Sequence, residues 1–322
     1  MTVRHEGLAP AIGVDLGGTR CRAAVVCPTG EVLSRTERPT PASDGREAVL
    51  AAVVQTAREA CVAAGIPPYD LAGIGIASGG QIDARTGRVL GATSLLPGWG
   101  GTLLAERVGA ELAMYCRADN DGNAGALGEW LFGAGKGCDD LIYLCLGTGI
   151  GGGVVSGGRL MRGHRGIAGE LGHIVIDPAG PTCSCGAPGC LEVYASGSGL
   201  ARRAEVASPG GFVSGGGAAV VRAARAGDPL AAQLLREAGE ALGFALGGLV
   251  NVIDPSRIIV GGSLGLGAPE LLLVAQKVMG ERALSCPFCS SGLPPLVPAT
   301  LRDDVGVIGA AALVWEVTDG AT

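Results

Sequence analysis

The pattern of apolar and polar positions cuts the chain into short buried strands separated by helices. Residues 11–16 (Ala-Ile-Gly-Val-Asp-Leu) form an apolar run that ends in glycines, a strand entering a turn. Strands continue over 21–27 and 31–34, split by the turn signal Pro28-Thr29-Gly30. Residues 45–64 have helical character and close at Gly65, with prolines beyond. A buried strand is expected over 71–77, a helix near 101–113 and a strand near 115–118. A helix over 122–132 follows, for which Asn120 and Asp121 offer a cap. Two strands flank the glycine run 147–153, and 172–177 reads as another strand. Residues 178–190 hold Pro, Gly and Cys with no period, so they form a loop held by something other than a core. From 191 onward the chain is mostly helical, including the long Ala/Leu segment 228–253. It then gives a strand over 257–261 and helices over 267–282 and 305–317. Alternation of this kind is the α/β pattern. There is no low-complexity linker, and the best division lies near 119–121, giving domains 1–119 and 120–304 with a final helical segment, 305–322.

Composition narrows the function classes. A chain of 322 residues has room for two domains. Its 58 glycines exceed the usual share, but they do not recur every third residue, which excludes collagen. With 48% hydrophobic residues the chain is too apolar to be disordered. A net charge of −6 speaks against a nucleic-acid groove or a polybasic membrane patch, and 3% aromatics are too few for base stacking. The longest charge-free stretch, 141–158, is full of glycine and reads as two strands around a loop rather than a membrane span. The opening residues MTVRHEGLAP contain no apolar run, so no signal peptide is expected and the expected location is cytoplasmic. Of the 11 cysteines, Cys21, Cys27, Cys61, Cys116, Cys138, Cys145, Cys286 and Cys289 are scattered or paired late and read as thiols. Cys183, Cys185 and Cys190 cluster and need a separate account.

Two segments share one design. Asp15-Leu-Gly-Gly-Thr19 and Leu146-Gly-Thr-Gly-Ile-Gly-Gly-Gly153 each follow an apolar strand and combine glycine with threonine. Glycine lets backbone N–H groups approach a phosphate and the hydroxyl adds a donor, so two such loops can hold a polyphosphate. Either loop alone reads equally well as a hairpin turn. Asp15 tips the balance, because a carboxylate beside phosphates commonly handles Mg²⁺. A Walker A lysine is absent and no G-x-G-x-x-G follows the first strand, which argues against P-loop and Rossmann folds.

Taken together, Asp15–Thr19, Asn120-Asp121, 146–153, Gly169-Glu-Leu-Gly-His173, Cys183-Ser-Cys-Gly-Ala-Pro-Gly-Cys-Leu-Glu192 and Val260-Gly-Gly-Ser263 resemble the ROK family of sugar kinases over essentially the whole chain. The resemblance implies an actin-like ATPase (ribonuclease H-like) fold, two α/β lobes with a central cleft for ATP and sugar. It implies that the last helix returns to the N-terminal lobe and that the protein is a homodimer. ATP and Mg²⁺ are expected at Asp15, Gly17, Gly18, Thr19, Thr148, Gly149 and Gly262. The resemblance makes Asp121 the catalytic base, in place of a plain helix cap, and Asn120 a sugar ligand. Asp119 beside them reads as a solvated or strand-end acid.

His173, Cys183, Cys185 and Cys190 offer one imidazole and three thiols, the closed N/S set of a structural zinc. Their spacing is not that of a zinc finger, and it is the resemblance that matches all four positions. Glu170 and Glu192 flank this set, which favours sugar hydroxyls as their partners over a surface role. His164 lacks such a tether, His5 lies in the N-terminal stretch, and Cys286-Pro-Phe-Cys289 has redox spacing without a thioredoxin setting.

The substrate loops depart from glucose-directed members of the family, which carry Pro-Gly-Pro and then Pro-Asn-Leu. Here they read Ser78-Gly-Gly-Gln81 and Thr93-Ser-Leu-Leu96, with Leu95 at the expected asparagine. Gly80, Gln81 and Thr93 resemble the Gly-Gly-polar loop and threonine of N-acetylmannosamine kinases, so an N-acylhexosamine is favoured and glucose comes second. Some family members are repressors with a helix-turn-helix ahead of the first loop. The first strand here begins near residue 11, so no such segment is expected.

Overall fold

The computed structural model describes residues 7–91, 95–211, 215–285 and 292–316. In chain order the elements are β1 (Ala11–Leu16), β2 (Arg20–Val26), β3 (Val32–Pro39), α1 (Arg46–Ala64), β4 (Ile74–Ser78), β5 (Gln81–Asp83), β6 (Arg88–Gly91), α2 (Leu104–Leu112), β7 (Cys116–Asn120) and α3 (Asp121–Phe132). There follow β8 (Leu141–Leu146), β9 (Ile150–Ser156), β10 (Arg159–Leu160), α4 (Leu191–Ala195), α5 (Gly197–Ala207), α6 (Gly216–Arg225) and α7 (Pro229–Ile253). The chain ends with β11 (Arg257–Gly261), α8 (Gly262–Gly267), α9 (Pro269–Arg282), β12 (Leu296–Pro298) and α10 (Val305–Trp315).

The contacts group into two compact units, one of residues 1–137, 160–169 and 300–322, the other of residues 138–159 and 170–299. The division expected at 119–121 thus moves to 137/138. The reason is α3, which packs on α10 and so stays with the first unit.

The first unit is built on a sheet of order β3-β2-β1-β4-β7. β1 pairs antiparallel with β2 and parallel with β4, and β4 pairs parallel with β7. Ile12, Val14, Ile74 and Ile76 sit in a core with Val53 and Ala57 of α1 and with Leu104 and Val108 of α2. Helix α1 stops where the sequence says it should. Gly65 takes a left-handed φ of 67° and its N–H closes the last turn on Cys61 and Val62. Helix α10 lies close against β1 and β4. A side chain at Gly13 would strike the Val307 carbonyl and one at Gly75 the Ala310 carbonyl. Arg35 forks onto Asp304 at 2.9 and 2.7 Å, tying the start of α10 to β3.

The second unit repeats this plan, with sheet order β10-β9-β8-β11-β12. Its central strand β8 is antiparallel to β9 and parallel to β11, which is parallel to β12. Helix α7 is capped by Asp228, which accepts from the Ala231 N–H, and begins with Pro229. The strand expected over 172–177 does not form. Leu171–His173 make one 3₁₀ turn, and the chain beyond pairs only with the end of the cysteine loop. Val175 bridges Cys190, Ile176 N–H donates to Gly189 O at 2.8 Å and Leu191 N–H to Ile174 O at 2.8 Å. The loop, not a sheet edge, satisfies this backbone.

Candidate active site

In the first unit the β1–β2 turn carries Gly17, Gly18 and Thr19. Gly17 N–H donates to Arg20 O at 2.9 Å, and Thr40 Oγ1 donates to Gly17 O at 2.8 Å, so the turn is braced from outside. A side chain at Gly18 would come within 2.5 Å of Leu95 Cβ, and Leu95 itself is 58% exposed. The residue standing at the expected asparagine is therefore an open apolar side chain beside the glycine turn. Asp15 is half-buried, and its Oδ2 takes the Arg22 guanidinium at 2.5 Å.

Asn120 ends β7 and caps α3. Its Oδ1 accepts from the N–H groups of Gly122 at 2.8 Å and Asn123 at 3.2 Å, while Nδ2 donates to Gly80 O at 2.9 Å. Asn120 therefore joins the α3 start to the Gly80 loop, a task its sequence context does not show. Asp121, next along, is exposed in the first turn of α3, with Oδ1 held by the Gly122 N–H at 2.9 Å. Gln81 opens β5 opposite Gly91. Thr93, His5, Cys286 and Cys289 lie outside the described residues.

Of the two readings of Asp119, a solvated or a strand-end acid, the second holds: it is the penultimate residue of β7. It is 1% exposed. Oδ2 receives Arg162 Nε at 2.6 Å, while Oδ1 accepts from Asn120 N–H at 2.8 Å and Asn123 Nδ2 at 3.0 Å. Arg162 forks its other two nitrogens onto Glu316 at 2.9 and 2.6 Å. Burial works against the Arg162 charge, but the Asp119 and Glu316 carboxylates more than offset it and hold the guanidinium above its ordinary range.

The β8–β9 turn of the second unit carries Thr148 and Gly149. Gly197 N–H donates to Gly147 O at 2.8 Å and Ser198 Oγ to Thr148 O at 2.7 Å, so α5 is anchored to the turn. Glu192, expected as a sugar ligand, accepts the Ile150 N–H on Oε2 at 2.9 Å and so braces the same turn. Beyond the turn lies a pocket of about 600 Å³, lined by Thr148, Ser198, the glycines 215–217, Arg222 and Ser263. Sequence reading missed Ser198 and Arg222. The Ser196-Gly-Ser-Gly199 helix start was the available signal for Ser198, and Arg222 had none. Gly262 has a φ of 81°, and a side chain there would run into the Leu146 backbone, so glycine lets β11 turn into α8 beside the pocket.

The ligand atoms of His173, Cys183, Cys185 and Cys190 all lie within 4.8 Å of one another. Cys185 Sγ is 3.6 Å from Cys190 Sγ, and Cys183 Sγ is 3.6 Å from His173 Nδ1. A tetrahedron with metal–sulfur bonds of about 2.3 Å puts its sulfurs about 3.8 Å apart, so the donor set fits a closed zinc site. His173 turns Nε2 toward Glu170 Oε2 at 4.0 Å, the side a carboxylate takes when Nδ1 faces a metal. The Ala187 N–H is the chief influence lowering the Cys185 thiol. Burial, then the neighbouring sulfurs, push Cys190 up to about 12. Tyr194 Oη donates to Asp177 Oδ2 at 2.8 Å and fastens the loop's first half.

Two sheets of one topology, each with a glycine–threonine turn at the end of its central strand, define an actin-like ATPase fold. The ROK family model matches residues 11–317. A glucokinase of Streptomyces coelicolor is 35% identical, with 95% of this chain and 97% of that protein covered. An N-acetylmannosamine kinase of Escherichia coli O157:H7 is 33% identical, with 94% and 97% covered. The crystal structure of a ROK hexokinase from Thermus thermophilus superposes with a TM-score of 0.81 at 35% identity, covering 94% of this chain and 97% of that one. The chain belongs to the ROK family.

Proposed function

We propose that this ROK sugar kinase uses ATP to phosphorylate the 6-hydroxyl of a hexose or N-acylhexosamine and prefers N-acetylmannosamine to glucose. The observation that carries the reading is the α3 start. An exposed carboxylate, Asp121, is held in direction by Gly122, while its neighbour Asn120 fixes the carbonyl of Gly80. Such a carboxylate can take the proton of a positioned hydroxyl, which phosphoryl transfer requires.

In this reading Asp121 accepts the 6-hydroxyl proton, and Asn120, Glu170, His173 and Glu192 hold ring hydroxyls. Gly80, Gln81 and Thr93 surround position 2. The turn at Gly17, Gly18 and Thr19 takes the phosphates from one side and the turn at Thr148 and Gly149 from the other, and the pocket beside Gly262 takes the adenosine. Asp15 is a single carboxylate with one oxygen already on Arg22, which suits Mg²⁺, an ion that draws most of its ligands from water and phosphate. Bound Mg²⁺ neutralises charge on the transferred phosphoryl group. A structural zinc on His173, Cys183, Cys185 and Cys190 holds Glu170 in place through His173. Leu95 supports the sugar preference. It is open and apolar, so it cannot pair a ring hydroxyl, and a buried acetamido methyl gains about 0.8 kcal/mol per carbon.

Glucose is the second reading, favoured by the 35% identity to a relative named glucokinase. Comparing kcat/KM for glucose, mannose, N-acetylglucosamine and N-acetylmannosamine at saturating ATP separates the two. N-acetylmannosamine should lead, and a tenfold advantage for glucose overturns the preference.

A further inference from the structure

Arg162 belongs to no motif, yet its guanidinium reaches Asp119, the carboxylate beneath the α3 start. Its Nε binds Asp119 and its two terminal nitrogens bind Glu316, so each nitrogen of the planar fork is engaged. Asp119 passes the constraint on. Its other oxygen holds the Asn120 N–H and the Asn123 side chain, and Asn120 in turn caps α3 and fixes Gly80. Arg117 completes the far side, donating to the Leu313 and Glu316 carbonyls at 3.0 and 3.1 Å. With Asp119 1% exposed, this is a buried charge that only its partners keep in one geometry.

We propose that Arg162 is a positioning residue for phosphoryl transfer: through Asp119 it sets the direction of Asn120 and Asp121, and Glu316 locks it in that pose. The proposal rests on the reading of Asp121 as the base. Arg162 touches no reacting atom. A side chain that keeps the charge but loses the fork cannot bind Asp119 and Glu316 at once, so the α3 start turns while the far loops keep their contacts.

The test is a double-mutant cycle on the full-length protein. R162K should lower kcat by about 10–100-fold, with the KM for ATP within twofold of wild type. In a D121N background the same substitution should have little further effect, because a misplaced base costs nothing once the base is gone. A purely structural role predicts a full loss in both backgrounds. E316Q, a milder change at the outer end of the fork, should give a smaller loss with the same non-additivity, and it serves if R162K fails to fold. Wild-type kcat in either variant, or equal losses with and without Asp121, overturns the proposal. Wild-type kcat in D121N itself would instead overturn the base assignment.

Discussion

Two regions carry most of the polar chemistry, and they are held by opposite means. The α3 start of the first unit is fixed by the protein alone: Asn120 makes three hydrogen bonds through its side chain, and Asp119 and Arg162 close a buried ion pair beneath it. The loop at 173–190 has almost no core of its own, with Cys183, Cys190 and Val193 as its buried cluster. Four soft or borderline donors converge instead. One region is held by hydrogen bonds and ion pairs among its own residues, and the other brings together four donors that fit a closed metal site. Substitutions in the first should therefore cost turnover, and disturbances of the second should cost sugar affinity.

The sharpest break is at Asp121. D121N should lower kcat by about 10²–10⁴-fold while binding of sugar and ATP stays near wild type, as single-turnover kinetics and calorimetry would show. On the other side of the comparison, protein purified without added metal should hold one zinc per chain. Its removal, or C190S, should raise the sugar KM by about 10–100-fold before the global melt. Full activity at near-zero zinc would show that the loop needs no metal. The smallest effect is expected at the second turn. T148V removes one hydroxyl and should raise the KM for ATP about 2–10-fold with the sugar KM unchanged. An unchanged ATP KM would mean that this turn does not meet the phosphates.

Local rules made much of the fold legible. The strand at 257–261 appears with the bounds the sequence gives, α1 ends at its glycine, and α7 starts one residue past its Asp228 cap. Both glycine–threonine turns follow from short spacings, and the four-ligand cluster from the family resemblance. What escaped depends on residues far apart in sequence. Asp119 reads as a solvated or strand-end acid, and nothing near it in sequence shows that Arg162, 43 residues on, and Glu316 beyond it close over the site. Residues 172–177 carry a strand-like pattern, but their partner is the far end of their own loop. Glu192 sits where a ligand is expected, yet one of its oxygens is committed to the Ile150 amide 42 positions away.

The crossing of α10 over the first sheet also bears on the order of assembly. Gly13 and Gly75 let the helix backbone touch β1 and β4, and Gly309 lets it touch α3, so nothing smaller or less regular can stand in for it. During synthesis the strands of this sheet emerge first and the helix that covers one of their faces emerges some 170 residues after α3 ends. The second unit, made in between, has every strand of its sheet in hand before that helix exists. A chain cut short at residue 299 would thus carry a finished second unit and an uncovered first sheet, a state in which chaperone contact and protease cleavage should concentrate on residues 11–132.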